Sequence, residues 1–474
     1  MRCADLRART TAVLLAAVLA ACGGGTTTEV TYTWPPGTQP PVDLAEVTTP
    51  TGANTTEIVV DTGPSTGFSL GAANIPYVTV TVCAPGSRTA CVTIDHVILD
   101  TGSYGLRVFK SKVAALGLPA VTLAADPLAT PPTPQGSAVE CYPFVVGGLW
   151  GPLAEADVLI ASEEANQIPI HLIDDSGNAA SAATADCASA AGQQVLSSVK
   201  ELQANGVLGV GMVGLDCGST CAVGDYTGQH VQYYRCTDAT STASCAPSAI
   251  PHTQQTQNPV KHFAVNNNGT VIHLPSLPLL GATVAKGRLV FGIGTDPSGN
   301  NQIADSAKMY AIDTDPGLDP KQLSPTYLYI TTSVGAASYI QSYIDSGSNA
   351  LFFEDTSISQ TCDVSSGSAQ SGWFCPQDTL QRTATLTDAL GNSGPVAFAI
   401  ANADGLFSTN STAFANLGGS VGQGAQTFVW GLPFFYGRSV YTSIWGQALS
   451  GNGPWYAFCS HDPALGVCPK LAGP

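Results

Sequence analysis

Two aspartates in this sequence of 474 residues occupy the same short motif at positions far apart in the chain. Asp100 is followed by Thr-Gly-Ser and Asp345 by Ser-Gly-Ser; apolar residues precede each aspartate, and a leucine lies after each motif. Because a glycine permits a tight turn after a strand, each carboxylate is expected at the tip of a loop. Two such loops that meet across a pseudo-twofold axis would bring the two carboxylates together.

A pair of carboxyl groups at close range can hydrolyse a peptide bond with water. Like charges at that distance cannot both ionise cheaply, so the pair shares a proton and titrates at two separated pKa values, one of them raised. The ionised member can take a proton from a water molecule while the protonated member donates to the substrate carbonyl. This chemistry needs no metal ion and no cofactor.

The residues beside each aspartate have side chains suited to supporting it. The two glycines permit the turns, the serine after each glycine can hydrogen-bond the carboxylate, and the residue before each glycine can brace the two loops. The supporting residues predicted on these grounds are Thr101, Gly102, Ser103, Ser346, Gly347 and Ser348.

Strands are the elements expected to position these loops. Alternation with a period of two marks the runs 77–82, 288–291 and 327–330 as strands, and Gly, Pro, Asn and Asp punctuate them. Helical windows are few and short, at 110–116 and 193–203. The pattern predicts an all-β fold.

Composition excludes several classes of function. The chain has 17 basic and 34 acidic residues, a formal net charge of −17, and only 11% charged residues. A chain this acidic is repelled by nucleic acid and by an anionic membrane surface, so neither is an expected partner. Its hydrophobic fraction of 44% can fill a real core, which excludes wholesale disorder.

The N-terminus predicts export and lipid anchoring. Three arginines precede the apolar run 12–19, which is too short to span a bilayer. The run leads into Leu-Ala-Ala-Cys ending at Cys22, which resembles a bacterial lipobox and makes Cys22 the predicted lipidation site of a signal peptide at 1–22. An ordinary cleavable signal is the alternative. Gly23 favours the outer membrane over the inner, and residues 23–56, rich in Gly, Thr and Pro, are expected to form a flexible tether.

The cysteines support an oxidising compartment such as the periplasm. Of the 14 cysteines, Cys3 lies in the signal and Cys22 would carry lipid, so an even number remains. Short separations predict disulfides within loops, and metal binding is the weaker alternative because no pair has CxxC spacing. The disulfide candidates are Cys83 with Cys91, Cys217 with Cys221, Cys236 with Cys245, Cys362 with Cys375, Cys459 with Cys468, and the remaining Cys141 and Cys187.

The doubled Asp-Thr/Ser-Gly-Ser motif resembles that of the bilobal, pepsin-type aspartic peptidases. More closely, the chain resembles a family of bacterial lipoproteins of unknown function that share the run Cys83–Ser87 and the Asp-Thr-Gly-Ser after it. The segments 207–209 and 429–431 are similar to the apolar-apolar-Gly segment that lies beside each catalytic loop in the peptidases. The segment 432–437 is similar to the peptidase residues directly after the second such glycine.

These resemblances imply a pepsin-like fold with two pseudo-symmetric β lobes and a central cleft. The N-terminal lobe would span 57–300 with a Cys-rich insertion at about 174–261, and the C-terminal lobe would span 301–474. Peptidases of this kind place a tyrosine on a hairpin flap over the cleft. Here Phe144 stands near that position, and Tyr142 and Trp150 are the other candidates.

Two further sets of polar residues are interpreted as structural. Asp61-Thr62-Gly63 is a third Asp-Thr-Gly, but proline comes next, and it lies too close to Asp100 for a separate lobe, so it is predicted to be a turn. Asp95 and His96 precede the first motif on a strand and are expected to point to opposite faces.

The sequence therefore predicts a lipid-anchored, monomeric aspartic endopeptidase of the cell envelope that hydrolyses extended peptides with Asp100 and Asp345. Its substrate would be a peptide or a protein. The lipid would be its only contact with the membrane, and nucleic acid would not be a partner. The alternative is a binding module that keeps the fold and the cleft but hydrolyses nothing. A purely structural surface protein is a third hypothesis.

Overall fold

Strands dominate the computed structural model of the chain. It describes residues 37–64, 73–125, 132–145, 147–176, 187, 195–224, 226, 230–238, 244–303, 307–311, 329–358, 362, 372–420, 426–447 and 454–461. Helices within these ranges are single turns, so the predicted all-β fold is confirmed.

The strands are β1 (Val42–Glu46), β2 (Thr55–Val60), β3 (Tyr77–Cys83), β4 (Cys91–Asp100), β5 (Tyr104–Phe109), β6 (Thr122–Leu123), β7 (Gly136–Phe144), β8 (Gly147–Ile160), β9 (Glu163–Ile173), β10 (Gly206–Val210), β11 (Tyr233–Cys236), β12 (Cys245–Pro247), β13 (Gly269–His273), β14 (Ala282–Phe291), β15 (Lys308–Ala311), β16 (Ile330–Val334), β17 (Ala337–Ile344), β18 (Leu351–Phe353), β19 (Leu380–Thr387), β20 (Ser393–Ile400), β21 (Gly418–Gly419), β22 (Thr427–Trp430), β23 (Arg438–Ser443) and β24 (Trp455–Ser460). The α-helices are α1 (Lys110–Val113), α2 (Val199–Leu202), α3 (Ser219–Val223) and α4 (Ala403–Phe407); 3-10 turns lie at Ala114–Leu116, His252–Gln254, Pro259–His262 and Leu432–Phe434.

One strand arrangement occurs twice and positions both aspartate loops. β10 lies between β4, to which it is parallel, and β5, to which it is antiparallel, with Gly209 opposite Asp100. β22 lies in the same way between β17 and β18, with Trp430 opposite Ile344, the residue before Asp345. The apolar segments predicted to lie beside the loops are these two inserted strands, and the fold is a duplication with two lobes.

Glycines allow the inserted strands to approach the loops. A Cβ added to Gly209 would lie 2.6 Å from the backbone carbonyl carbon of Ser103, and one added to Gly431 would lie 2.5 Å from the Ser348 carbonyl oxygen. Real Cβ atoms do not come this close to backbone atoms, so both positions require glycine.

The sheets do not follow the lobe boundary expected at residue 300, because strands from after this residue pair with strands from before it. Strands β16–β22 form a seven-stranded sheet of the C-terminal lobe. The later strands β23 and β24 instead join the larger sheet system, where β23 pairs with β13 and β24 pairs with β15. The last described strands of the chain therefore help to connect the lobes.

The segment at 174–261, expected to be an insertion, contributes to the core. β10 lies within it, and every residue of β10 is buried. Its backbone pairs on both sides because it is the central strand of the N-terminal duplication. Of the helix expected over 193–203, the structure forms the single turn α2.

A bulge changes the expected geometry of Asp95 and His96. His96 has a φ of 48°, and the pairing of β3 with β4 shifts register between Val78 and Val80, opposite this point. His96 Nδ1 consequently lies 3.3 Å from Asp95 Oδ2, so the prediction of opposite faces is wrong. Asp61 forms the predicted turn, since its carboxylate accepts a hydrogen bond from the Gly63 amide at 2.8 Å.

Disulfides join cysteines that are close in sequence and one pair that is distant. The pairs are Cys83 with Cys91, Cys141 with Cys187, Cys217 with Cys221, Cys236 with Cys245, and Cys362 with Cys375. Cys459 is also disulfide-bonded, and Cys468 lies outside the described residues. Within the ranges given above, no helix is long and apolar enough to cross a membrane.

Candidate functional site

Asp100 is the last residue of β4, and the turn that follows it supplies hydrogen-bond donors. The Gly102 amide donates to Asp100 Oδ1 at 2.8 Å, and the Ser103 hydroxyl donates to Oδ2 at 2.5 Å. Only 6% of the Asp100 surface is exposed. The turn therefore binds both carboxyl oxygens within three residues of the aspartate itself.

Asp345 comes directly after β17 and is held in the same way. The Gly347 amide donates to Asp345 Oδ1 at 2.8 Å, and the Ser348 hydroxyl donates to Oδ2 at 2.6 Å. Asp345 is 9% exposed. The two aspartates thus have equivalent partners at nearly equal distances.

Reciprocal hydrogen bonds brace the two loops. The Thr101 amide donates to Ser346 Oγ at 3.1 Å, and the Ser346 amide donates to Thr101 Oγ1 at 3.0 Å. Each hydroxyl also donates across to the other lobe, Thr101 to the Ile344 carbonyl at 3.3 Å and Ser346 to the Leu99 carbonyl at 2.7 Å. All four groups are buried, so these bonds set the distance between the loops.

The braced loops bring the two carboxyl groups into contact. A Cβ added to Gly102 would lie 2.7 Å from the Asp345 carboxyl, and one added to Gly347 would lie 2.5 Å from Asp100 Oδ1. Each loop glycine therefore faces the aspartate of the other lobe. The two carboxyl groups are thus close enough to interact electrostatically.

Burial raises the pKa of the Asp100 carboxyl well above its usual range, and the charge of Asp345 and the hydrogen bond to it raise it further. The bonds from Ser103 and Gly102 oppose this shift but do not cancel it. One proton shared between two buried carboxyl groups is the expected state of such a pair. The site can therefore supply an acid and a base at the same time.

The β7–β8 hairpin carries the three flap candidates, and their side chains have different surroundings. Trp150 is buried in the lobe, where it packs edge-on against Tyr234 at 5.2 Å. Phe144, the residue nearest the expected flap position, packs against the core cluster that contains Leu149. Tyr142 interacts electrostatically with Asp100. Tyr142 is therefore the candidate that interacts with the first aspartate of the pair.

Three more tyrosines interact electrostatically with the pair, and sequence reasoning did not identify them. Burial raises the pKa of the phenols of Tyr104, Tyr343 and Tyr456, and Asp345 contributes to all three shifts. Tyr104 and Tyr343 lie on strands that flank the loops, but Tyr456 comes from β24. No local pattern marks Tyr456, because only the sheet between the lobes brings it to the site.

A buried charged cluster beneath the hairpin was also missed. Arg107, Glu140, His171 and Asp216 have fully buried side chains. Arg107 lies a few residues after the first motif, and its place in an otherwise apolar buried strand was the one available signal.

Metal ligands converge at one place in the described part of the chain, at Cys362, Cys375 and Asp404. The two cysteines form a disulfide with each other. A metal ion binds thiolate rather than disulfide sulfur, so this group does not fit one. Cys22, the predicted lipidation site, lies outside the described residues.

Comparison with known proteins identifies a family without an assigned activity. A family model described as "Protein of unknown function (DUF3443)" matches residues 50–458. A search of curated proteins found no match. Among solved structures, the aspartic proteinase from Irpex lacteus matches with 13% identity and a TM-score of 0.43, over 88% of this chain and 99% of that one. Interpretation of the site therefore rests on its own geometry.

Proposed function

The chain belongs to the DUF3443 family of proteins of unknown function, and we propose that it is an aspartic-type endopeptidase acting on extended peptides. One observation carries this proposal. Two buried aspartates from different lobes are held together by braced loops, and each has a matching set of donors. Burying two carboxyl groups together makes the folded state less stable. A fold that nevertheless holds both with equivalent hydrogen bonds indicates that the pair has a chemical function.

The proposed reaction uses the shared proton. The Asp345 carboxylate accepts a proton from a water molecule, whose oxygen forms a bond to the carbonyl carbon of the scissile peptide. Asp100 gives its proton to the carbonyl oxygen, producing a tetrahedral diol. The C–N bond then breaks as the leaving nitrogen takes a proton from Asp345 while Asp100 takes one from a hydroxyl of the diol. The products are an amine and a carboxylic acid, and the pair again holds one proton. The raised pKa of Asp100 keeps this proton bound at a pH where an ordinary aspartate has lost it.

Hydrolysis of a denatured protein tests the proposal. The purified chain beginning near Thr26 is incubated with substrate from about pH 3 to pH 7, beside Asp100→Asn and Asp345→Asn. Each substitution should lower the cleavage rate at least about 100-fold, because each removes one partner of the proton exchange. Asp61→Asn makes the same chemical change in the third Asp-Thr-Gly, outside the pair, and should leave cleavage unchanged.

Cleavage that survives both dyad substitutions would contradict the proposal, as would its absence from the folded wild-type protein throughout this pH range. Absence of cleavage together with tight binding of the same unfolded substrate would instead support a binding module that uses the cleft. Thermal unfolding of all four proteins establishes that they are folded.

We further propose that the protein is held at the cell envelope, on the outer membrane, by lipid at Cys22. The lipobox-like sequence before Cys22 supports this. Metabolic labelling with a radioactive fatty acid should mark the wild-type protein and leave Cys22→Ala unlabelled. Labelling that persists in Cys22→Ala would contradict this anchor.

A further inference from the structure

Arg107 connects the first catalytic loop to the flap hairpin, defined here as the paired residues 139–144 of β7 and 147–152 of β8. Its Nη1 donates to the Tyr104 carbonyl at 2.8 Å, directly after the Asp100 turn. Its Nη2 donates to Glu140 Oε1 at 2.6 Å, on β7, and to Asp216 Oδ2 at 3.1 Å, beyond β10. One buried guanidinium thus contacts three separate segments.

The same guanidinium lies against the ring of Tyr142. Arg107 Cζ is 3.6 Å from the centre of that ring, a cation–π contact. Such contacts contribute most where the cation has lost its water, and the Arg107 side chain is 0% exposed. Tyr142 lies two residues after Glu140 on β7, so Arg107 contacts this strand at two points.

The surrounding groups balance the charge of Arg107 and fix its orientation. Burial alone would raise the pKa of Glu140, but Arg107, His171 and a hydrogen bond with Asp216 hold it well below its usual range. Burial and the charge of Glu140 raise the pKa of Asp216 well above its usual range. Burial lowers the pKa of His171. The charge of Arg107 is therefore offset chiefly by the carboxylate of Glu140, its partner at 2.6 Å.

Neutral donors complete the cluster. The Tyr233 hydroxyl donates to Asp216 at 2.7 Å, Gln232 Nε2 donates to the same carboxyl at 2.6 Å, and the Thr256 hydroxyl donates to Glu140 Oε2 at 2.9 Å. With its carboxyl partners held on several sides, the guanidinium is fixed in place over the ring of Tyr142.

We propose that Arg107 is a positioning residue that fixes the Tyr142 ring, and with it the flap hairpin, relative to the Asp100 loop. This rests on the proposed function, since the hairpin would then close over a peptide beside the aspartate pair. The essential contact is between the guanidinium and the face of the ring. The aromatic ring of Tyr142, and not its hydroxyl, is the part that Arg107 holds.

Hydrogen exchange of the full chain tests the contact without relying on activity. Tyr142→Leu removes the ring from a half-buried site and should speed amide exchange in residues 139–152 about tenfold, with other segments unchanged. Tyr142→Phe keeps the ring and should retain protection. Phe144→Leu is the matched control: it removes the neighbouring ring, whose centre lies 4.9 Å from that of Tyr142, without touching Arg107.

Arg107 itself is tested by a conservative change, because Arg107→Met would bury two carboxyl groups without their cation. Arg107→Lys keeps the charge but loses the flat face and the fork, and should speed exchange in 139–152 as Tyr142→Leu does. Unchanged exchange of the hairpin in both Tyr142→Leu and Arg107→Lys would overturn the proposal. Equal acceleration across the whole lobe would also overturn it, since that indicates a general structural role.

Peptide cleavage gives the second readout. The kcat of Tyr142→Phe should exceed that of Tyr142→Leu about tenfold at similar thermal stability. Equal kcat values would overturn the role in catalysis. If the wild type cleaves nothing while the hairpin responds as expected, the proposed peptidase function fails and the Arg107–Tyr142 contact stands. If the wild type cleaves substrate while exchange of the hairpin is unchanged in the variants, the positioning role of Arg107 fails and the peptidase function stands.

Discussion

At the scale of single residues, the site depends on the groups that surround Asp100. Its serine and glycine partners stabilise the ionised form, while burial and Asp345 favour the protonated form and prevail. A carboxyl group whose pKa is raised in the folded state makes folding less favourable once it ionises. The chemistry proposed for the site therefore has a measurable cost in stability.

Asp100→Asn should raise thermal stability at neutral pH. With the folded pKa above the unfolded value of about 3.9, wild-type stability falls as pH rises from the unfolded pKa through the folded one, and the variant lacks this fall. The variant should therefore gain little stability below about pH 3.5 and a constant amount above the raised pKa. Thermal unfolding across pH measures the difference, and an equal gain at all pH values would contradict the raised pKa.

Gly347→Ala should disturb the pair directly. The added Cβ would lie 2.5 Å from Asp100 Oδ1, so the carboxyl groups must separate. We expect a destabilisation of about 1–3 kcal/mol and a loss of cleavage of at least about tenfold. The alkaline limit of activity should also move to lower pH, because Asp345 would raise the pKa of Asp100 less.

The pH profile of kcat/KM and urea unfolding check these effects. Gly335→Ala is the control: it strains a turn with φ of 58° but meets no atom within 4 Å and lies away from the pair. A similar loss of cleavage in Gly335→Ala would show that destabilisation alone explains the result.

At the scale of elements, two loops of different lobes are held together by two hydroxyl groups. Thr101 and Ser346 each accept the amide of the other and donate to a carbonyl beyond it. Strands β10 and β22 support the loops from beneath by pairing on both sides. The geometry of each loop therefore depends on the other loop and on the strand that pairs beside it.

Thr101→Ala should destabilise the protein by about 1–3 kcal/mol, because it leaves the buried Ser346 amide without an acceptor. Thr101→Ser keeps the hydroxyl and should restore most of this loss. Urea unfolding measures both variants. In a double-mutant cycle, Thr101→Ala and Ser346→Ala should be non-additive, since each removes part of the same bonded set. Strict additivity would contradict reciprocal bracing.

At the scale of the molecule, the lobes share backbone and side-chain connections. β23 pairs with β13, and the buried Asn74 donates to the carbonyl groups of Asn349 and Phe414, both at 2.9 Å. Lobes connected in this way keep the two aspartate loops in register. The disulfides restrain short loops, except for Cys141–Cys187, which joins residues 46 positions apart.

Removing Cys141–Cys187 should cost more stability than removing Cys217–Cys221. The separations are 46 and 4 residues, so the loop-entropy difference is about 2 kcal/mol. Urea unfolding of the two double Cys→Ala variants measures this. Equal losses would contradict an entropic origin of the difference.

Much of the architecture could be predicted because its signals are local. Period-two alternation marks strands, and the two aspartate motifs mark a duplication. The charged cluster could not be predicted in this way, because Arg107, Glu140 and Asp216 lie far apart in sequence and on different elements. The bulge at His96 also escaped prediction, since the pairing of two strands, and not the local pattern, sets it.

The sequence by itself determined the features that act within a few residues. The Asp-Thr/Ser-Gly-Ser turns carry their own donors, and closely spaced cysteines join across short loops. Only the tertiary structure decided that Asp100 contacts Asp345, that Tyr142 lies on Arg107, and that the pKa of Asp100 is raised. The physical reason is that desolvation and charge–charge interaction depend on distance in space, which the fold sets between residues distant in the chain.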